Sequence, residues 1–272
     1  TLDQVINALP LLTWLAQTET GDLSELHLST YRLFYRHIKS EAVSCLGDKC
    51  PLHRACLLQN IRRQANRADI LVVNHALLFT DLAGDGFLLP EYKHLIIDEG
   101  HAIEDAATES FSISIAAGII LEEIKRFHVL TEEKAQELVA NLRGKTFDLF
   151  DLVYKFVVAN NKISYGEEIK VIISVELAEK AEWKKIEAVY QEWQGSLEKL
   201  LKEIDQLKIE EEAKALEIEG AKEKLQGILN QLAFIFDKKE KNYVRWLMAN
   251  NAMPPFNCFF KAAPIKVGPF IQ

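Results

Sequence analysis

Ile186, Tyr190, Trp193, Leu197, Leu200, Ile204 and Leu207 follow one another in alternating steps of four and three residues. That spacing places every one of these large apolar side chains on a single stripe of one helix, and such a stripe must be covered by another element. The seam is only about three heptads long, which favours an intramolecular partner over a homodimeric coiled coil. A second stripe, at Leu225, Ile228, Leu232 and Ile235, is the expected partner, folded back in an antiparallel hairpin after a charged turn ending near Gly220. The wider stretch 119–241 is helical in pattern and contains no proline, so this part of the chain reads as a helical domain.

The remainder is organised differently. At 272 residues, two or three structural units are expected, and 49% hydrophobic with 26% charged residues is an ordinary globular composition. No apolar run reaches membrane-spanning length and the N-terminus lacks a signal-peptide pattern, so a cytoplasmic protein without a membrane partner is expected. Residues Thr1 to Thr18 carry a helical stripe at Leu2, Val5, Leu9, Leu12 and Leu15, and Thr18-Glu19-Thr20-Gly21-Asp22 reads as a loop. Net charge is -8, but it is unevenly spread: Ser24 to Ala68 is net +5, leaving -13 for the rest.

Two β-branched runs interrupt the helical pattern. Ala68-Asp69-Ile70-Leu71-Val72-Val73-Asn74-His75 and Leu95-Ile96-Ile97-Asp98-Glu99-Gly100-His101 both read as buried strands of an open α/β sheet, where ligands bind at strand ends. Adjacent acids at such an end suit nucleoside triphosphate hydrolysis: Asp98 can hold Mg2+ through oxygen, and Glu99 can orient or deprotonate water. His75 reads as a structural hydrogen bonder. Gly144-Lys145-Thr146 imitates the end of a phosphate-binding loop, but the glycine that motif needs five residues earlier is Val139, and no strand precedes it. Tyr243 to Met248 and Phe256 to Ala262 are strand-like, with Cys258 expected as a buried packing residue.

Cys45-x4-Cys50-x5-Cys56 crowds three of the four cysteines into one loop, which points to a metal or cluster centre in a chain without an export signal. His53 lies among them, so a Cys/His zinc site and an iron-sulfur cluster both fit the spacing. Upstream, Tyr31, Phe34 and Tyr35 alternate with Arg32, Arg36 and Lys39, and downstream come Arg62, Arg63 and Arg67. Aromatic faces next to guanidinium groups suit single-stranded nucleic acid, with Tyr31, Arg36, Arg62, Arg63 and Arg67 as candidate contacts.

In this order and spacing, the cysteine triplet, the Ala68 to Leu78 segment and Ile97-Asp98-Glu99-Gly100-His101 resemble the DinG branch of the XPD-like iron-sulfur (DEAH-type, superfamily 2) DNA helicases. The resemblance implies a mixed but predominantly α fold: a helical iron-sulfur domain and a helical arch domain inserted around an incomplete RecA-like α/β motor domain. The implied segments are an iron-sulfur domain lacking its first cysteine at 1–68, motor domain at 69–112, arch at 113–241 and strands returning to the motor at 242–272. It also implies ATP-driven 5'→3' translocation on single-stranded DNA and unwinding of duplex, damaged or structured DNA in repair and replication. Asp98 would bind Mg2+, Glu99 would activate water and His101 would couple nucleotide state to the motor. Cys45, Cys50 and Cys56 would hold a 4Fe-4S cluster, absent or labile with three thiolates. Single-stranded and forked DNA and a single-strand-binding protein are the implied partners of a monomer. The family's phosphate-binding loop, first cluster cysteine and second motor domain are missing here, so an excised segment without ATPase activity of its own is expected. Gly100 stands where alanine is more usual. The alternative reading is a zinc or Fe-S nucleic-acid-binding or scaffold module with a helical hairpin and no ATPase activity.

Overall fold

The computed structural model describes residues 2–25, 45, 50–84, 88–160, 164–165, 168–237, 241–250 and 258–271. They are predominantly helical and fall into two compact units, one formed by 1–74 with 86–96, the other by 75–85 with 97–272.

In the first unit α1 (Leu2–Gln17) is the helix expected from its apolar spacing, although Leu9, Leu12 and Leu15 each remain more than half exposed. The loop after it is organised by Glu25. Its Oε2 accepts hydrogen bonds from Trp14 Nε1 and Thr18 Oγ1, both at 2.8 Å, and its Oε1 accepts one from Thr20 Oγ1. These donors, Thr20 foremost, hold the Glu25 carboxyl below its usual pKa. Gly21 has φ 72°, and a Cβ there would sit 2.8 Å from the Cβ of Leu57, the first residue of α2 (Leu57–Ala65). Glycine is required twice over, for the backbone conformation and for the close approach of α2.

The second unit begins with α3 (His75–Ala83) and α4 (Ile103–Ser110), which share a small apolar cluster: Phe79 of α3 packs with Ala107 of α4 and with Val267. There follow β1 (Ile113–Ala116), α5 (Ala117–Arg126), α6 (Glu133–Ala159), β2 (Ser164–Tyr165), β3 (Glu168–Ile172), α7 (Val175–Ala178), α8 (Ala181–Ile204), α9 (Glu212–Phe236), β4 (Tyr243–Ala249) and β5 (Cys258–Pro264). The strands form an antiparallel sheet in the order β1-β5-β4-β3-β2. Along β5 burial alternates, so Cys258, Phe260 and Ala262 face one side, as a half-covered strand requires. Phe260 there meets the rings of Phe150 on α6 (5.5 Å) and Phe236 on α9 (5.6 Å), which fastens the helices to the sheet.

The seam expected at 186–207 is α8 as far as Ile204, with Ile186, Tyr190, Trp193, Leu197, Leu200 and Ile204 all buried, while Leu207 falls beyond the end of the helix and is half-buried. Its close partner differs from expectation. Lys134 pairs with Glu203, Lys145 with Glu192, Trp193 Nε1 donates to Thr146 Oγ1 at 3.0 Å, and Phe156 meets Trp183, so α6 runs antiparallel along the length of α8. The α9 helix also runs antiparallel to α8, touching it through Lys222 with Asp205 at one end and the stacked Tyr190 and Phe236 rings (4.2 Å) at the other. Gly220 lies inside α9 rather than at the end of a turn. An apolar stripe specifies that it is covered but not by which of several stripes of matching length, and α6 carries one too, at Leu142, Leu149, Val153 and Phe156.

The two β-branched runs are corrections of a different kind. Among the described residues neither 69–74 nor 94–97 is strand, and Ile70, Val72 and Ile96 are 83%, 90% and 95% exposed. A strand exists through ladder bonds to a neighbour. No described segment supplies one to either run, so both remain irregular. Gly144-Lys145-Thr146 lies in mid-α6, with Lys145 and Thr146 both engaged by α8, and is no phosphate loop.

Candidate active site

Asp98 and Glu99 sit where the chain turns sharply into the short helical turn Gly100–Ala102 and then α4. Glu99 has φ 48° and ψ 46°, the left-handed region, the one non-glycine residue among those described to have positive φ. Such a conformation costs on the order of 1 kcal/mol and persists only where neighbours hold it. Two contacts do so. Glu99 N–H donates to Asp98 Oδ1 at 2.9 Å, and His75 Nε2, on the first residue of α3, meets the Asp98 carbonyl oxygen at 3.1 Å. The reading of His75 as a hydrogen bonder is correct; its partner, 23 residues away, could not be named from sequence.

The turn also brings His101 back onto Glu99, with Nδ1 3.3 Å from Oε2. Both side chains are largely exposed, at 80% and 70%. In water such a pair contributes little stability; its value is that it joins two of the predicted catalytic groups. Beside them lies a cleft of about 580 Å³ lined by Gly100, His101, Glu104, Lys266 and Pro269 among others. Lys266 was not among the residues picked out from sequence, and a lone lysine after a strand carries no signal by which it could have been.

Chemically the turn offers what Mg2+ uses: carboxylate oxygen from one side chain, leaving further positions to water and phosphate. Asp98 supplies it, with one oxygen already oriented by Glu99 N–H. The adjacent Glu99 carboxylate, with Oε2 facing His101 Nδ1, is the second acid of the turn.

The other predicted groups lie in the first unit. Arg62 and Arg63 occupy the last turn of α2, where the helix dipole favours cations, and Arg67 lies just beyond it. Arg63 Nη2 donates to Arg54 O at 3.4 Å. Tyr31 and Arg36 lie outside the described residues. Cys45, Cys50 and Cys56 are free thiols, exposed or half-exposed, and Cys56 stands at the position before the first residue of α2, with no side-chain bond to the helix end. Among the described residues no three His, Cys, Asp or Glu side chains are gathered as a metal site. Cys258 is buried in the sheet, as expected of a packing residue, and burial, with Asp151 adding to it, pushes its thiol up to about 12. No described helix is long and apolar enough to cross a membrane.

No family model matches the chain. It is similar to the ATP-dependent DNA helicase YoaA of Haemophilus influenzae, 32% identical over 130 residues that make up 46% of this chain and 20% of that protein. It is also similar to the ATP-dependent helicase DinG of Mycobacterium tuberculosis, 28% identical over 128 residues, 47% of this chain and 19% of the relative. A third relative, the 3'-5' exonuclease DinG of Bacillus subtilis, is 35% identical over 108 residues, 39% of this chain and 12% of its own length. The chain thus spans about a fifth or less of these relatives. Their names bear out the resemblance to the DinG branch.

Proposed function

We propose that this chain is the portion of an ATP-dependent DNA helicase that carries the metal-binding and water-activating acids of the motor. The parent enzyme translocates 5'→3' on single-stranded DNA and unwinds duplex, damaged or structured DNA. The observation that carries this reading is the left-handed turn at Glu99, which sets Asp98, Glu99 and His101 together, in a chain whose relatives are named as helicases. Asp98 would hold the Mg2+ that accompanies ATP and would supply charge neutralisation there, Glu99 takes the proton of the attacking water, and His101, in contact with Glu99, passes the change in charge at the nucleotide to the rest of the motor. The 272 residues contain no phosphate-binding loop and by themselves turn over no ATP.

Glu99→Gln in the full-length protein tests the assignment. Loss of general-base function is expected to lower DNA-stimulated ATPase by at least about 100-fold while ATP binding persists. Under the alternative reading, a nucleic-acid-binding module without ATPase activity, the same substitution changes nothing.

The basic cysteine-containing segment is the proposed DNA-contacting part, through Arg62, Arg63, Arg67, Tyr31 and Arg36. Cys45, Cys50 and Cys56 are proposed as thiolate ligands of an iron-sulfur cluster on their spacing. Iron and acid-labile sulfide in the purified full-length protein are expected; stoichiometric zinc would assign the cysteines, with His53, to a zinc site instead.

A further inference from the structure

His75 holds the backbone of the acidic turn, and the helix it begins packs its buried face against α4, the helix on the far side of that turn. Upstream, the Asp98 carbonyl is held by His75 Nε2 at 3.1 Å. A carbonyl can only accept, so Nε2 carries the proton and the imidazole donates. Downstream, the chain passes through Gly100–Ala102 into α4, whose Ala107 is fully buried against Phe79, one turn along α3 from His75. Phe79 is 1% exposed and Leu78 beside it 4%, so α3 is a fixed body against which the turn is referenced. Between the two anchor points lies Glu99 with its left-handed backbone, and the Asp98 side chain that accepts Glu99 N–H.

We infer that α3 is a clamp for the acidic turn and that His75 is a positioning residue for ATP hydrolysis. It acts through the Asp98 carbonyl, keeping the Asp98 carboxylate aimed at the metal and the Glu99 carboxylate aimed at water. This rests on the proposed role of Asp98 and Glu99. The physical reason is the strain at Glu99: a left-handed glutamate relaxes readily toward extended backbone once one anchor is cut, and relaxation would swing its side chain away from that of Asp98. Metal sites respond to such loss because partners behind the ligands set the ligands' direction, and removing one typically costs about 10- to 100-fold in affinity or activity.

The experiment uses the full-length enzyme with His75→Ala, His75→Gln and His75→Asn, and Glu99→Gln as reference. Turnover, KM for ATP, the Mg2+ concentration giving half-maximal rate, and melting temperature are measured. Glutamine places an N–H donor where Nε2 stands, whereas asparagine places one where Nδ1 stands, so the hydrogen bond and the side-chain volume are separated. Expected for His75→Ala is a kcat lowered by about 10-fold and a raised Mg2+ requirement, with KM for ATP changed much less. His75→Gln is expected to recover most of both losses, and His75→Asn to behave like alanine. The inference is overturned if His75→Ala leaves rate and Mg2+ dependence unchanged, if glutamine rescues no better than asparagine, or if the rate lost follows the melting temperature alone. Retained ATPase in Glu99→Gln would instead remove the assignment of the acids themselves. An inactive Glu99→Gln with a normal His75→Ala would remove only the clamp.

Discussion

Glu99 is bent into a conformation that non-glycine residues seldom adopt, and the neighbouring Gly100 is not. That reverses the ordinary expectation that the glycine of an Asp-Glu-Gly run supplies the turn. A Cβ added at Gly100 would meet nothing nearer than the Ile103 Cδ1 at 4.0 Å, and its φ is not positive. Gly100→Ala is therefore expected to keep full ATPase activity in the full-length protein and to stabilise it by up to about 1 kcal/mol, by reducing the freedom of the unfolded chain. A thermal melt and a turnover assay check both. The residue types at 98, 99 and 101 were enough to locate candidate acids, because their chemistry is a property of the side chains. The anchoring of Asp98 by His75 was not legible, since nothing in the order of residues ties position 75 to position 98.

At the scale of elements, α8 shows how much a period conveys. Six of the seven seam positions fall in it and are buried, with Trp183 a buried residue the seam did not include, and Trp193 shows the cost of placing a polar group there: its indole N–H is satisfied by Thr146 on α6, whose hydroxyl in turn donates to Leu142 O at 2.8 Å. Tyr190 on the same seam stacks on Phe236, but its hydroxyl is buried and meets no hydrogen-bond partner among the described residues. Burial, with Glu198 adding to it, pushes its pKa up to about 12. Tyr190→Phe keeps the stacked ring and removes the stranded hydroxyl, so the helical unit is expected to gain about 1 kcal/mol. It should also lose part of its alkaline sensitivity. In the wild type Tyr190 and Cys258 both titrate higher folded than unfolded, from ordinary values of 10.0 and 9.0 to about 12. Their stabilising contribution is thus complete below about pH 9 and is lost as pH rises toward 12. Denaturation midpoints across that range, for wild type and Tyr190→Phe, measure the difference.

For the whole molecule the charge distribution matters more than its sum. Residues 24–68 are net +5 in a chain of net -8, and the arginines at 62, 63 and 67 belong to that basic stretch. If the stretch meets DNA, Arg62→Glu with Arg63→Glu is expected to weaken single-strand binding at low salt and flatten the dependence of affinity on salt by about one unit of slope per lost phosphate contact. Equal affinity for wild type and variant at every salt concentration would remove these arginines from the DNA-binding surface. What the sequence alone determined is what depends on neighbours along the chain: helix periodicity, the apolar faces that must be covered, the strand-like character of the runs at 243–248 and 256–262, and the acids of the turn. The tertiary structure alone decided that α6 covers the seam of α8, that two strand-like runs are not strands, and that α3 reaches the acidic turn. The reason is that one apolar stripe or one β-branched run resembles another in composition. Which partner covers a stripe, or whether a run has any ladder partner at all, depends on segments far away in the chain that the local order of residues does not name.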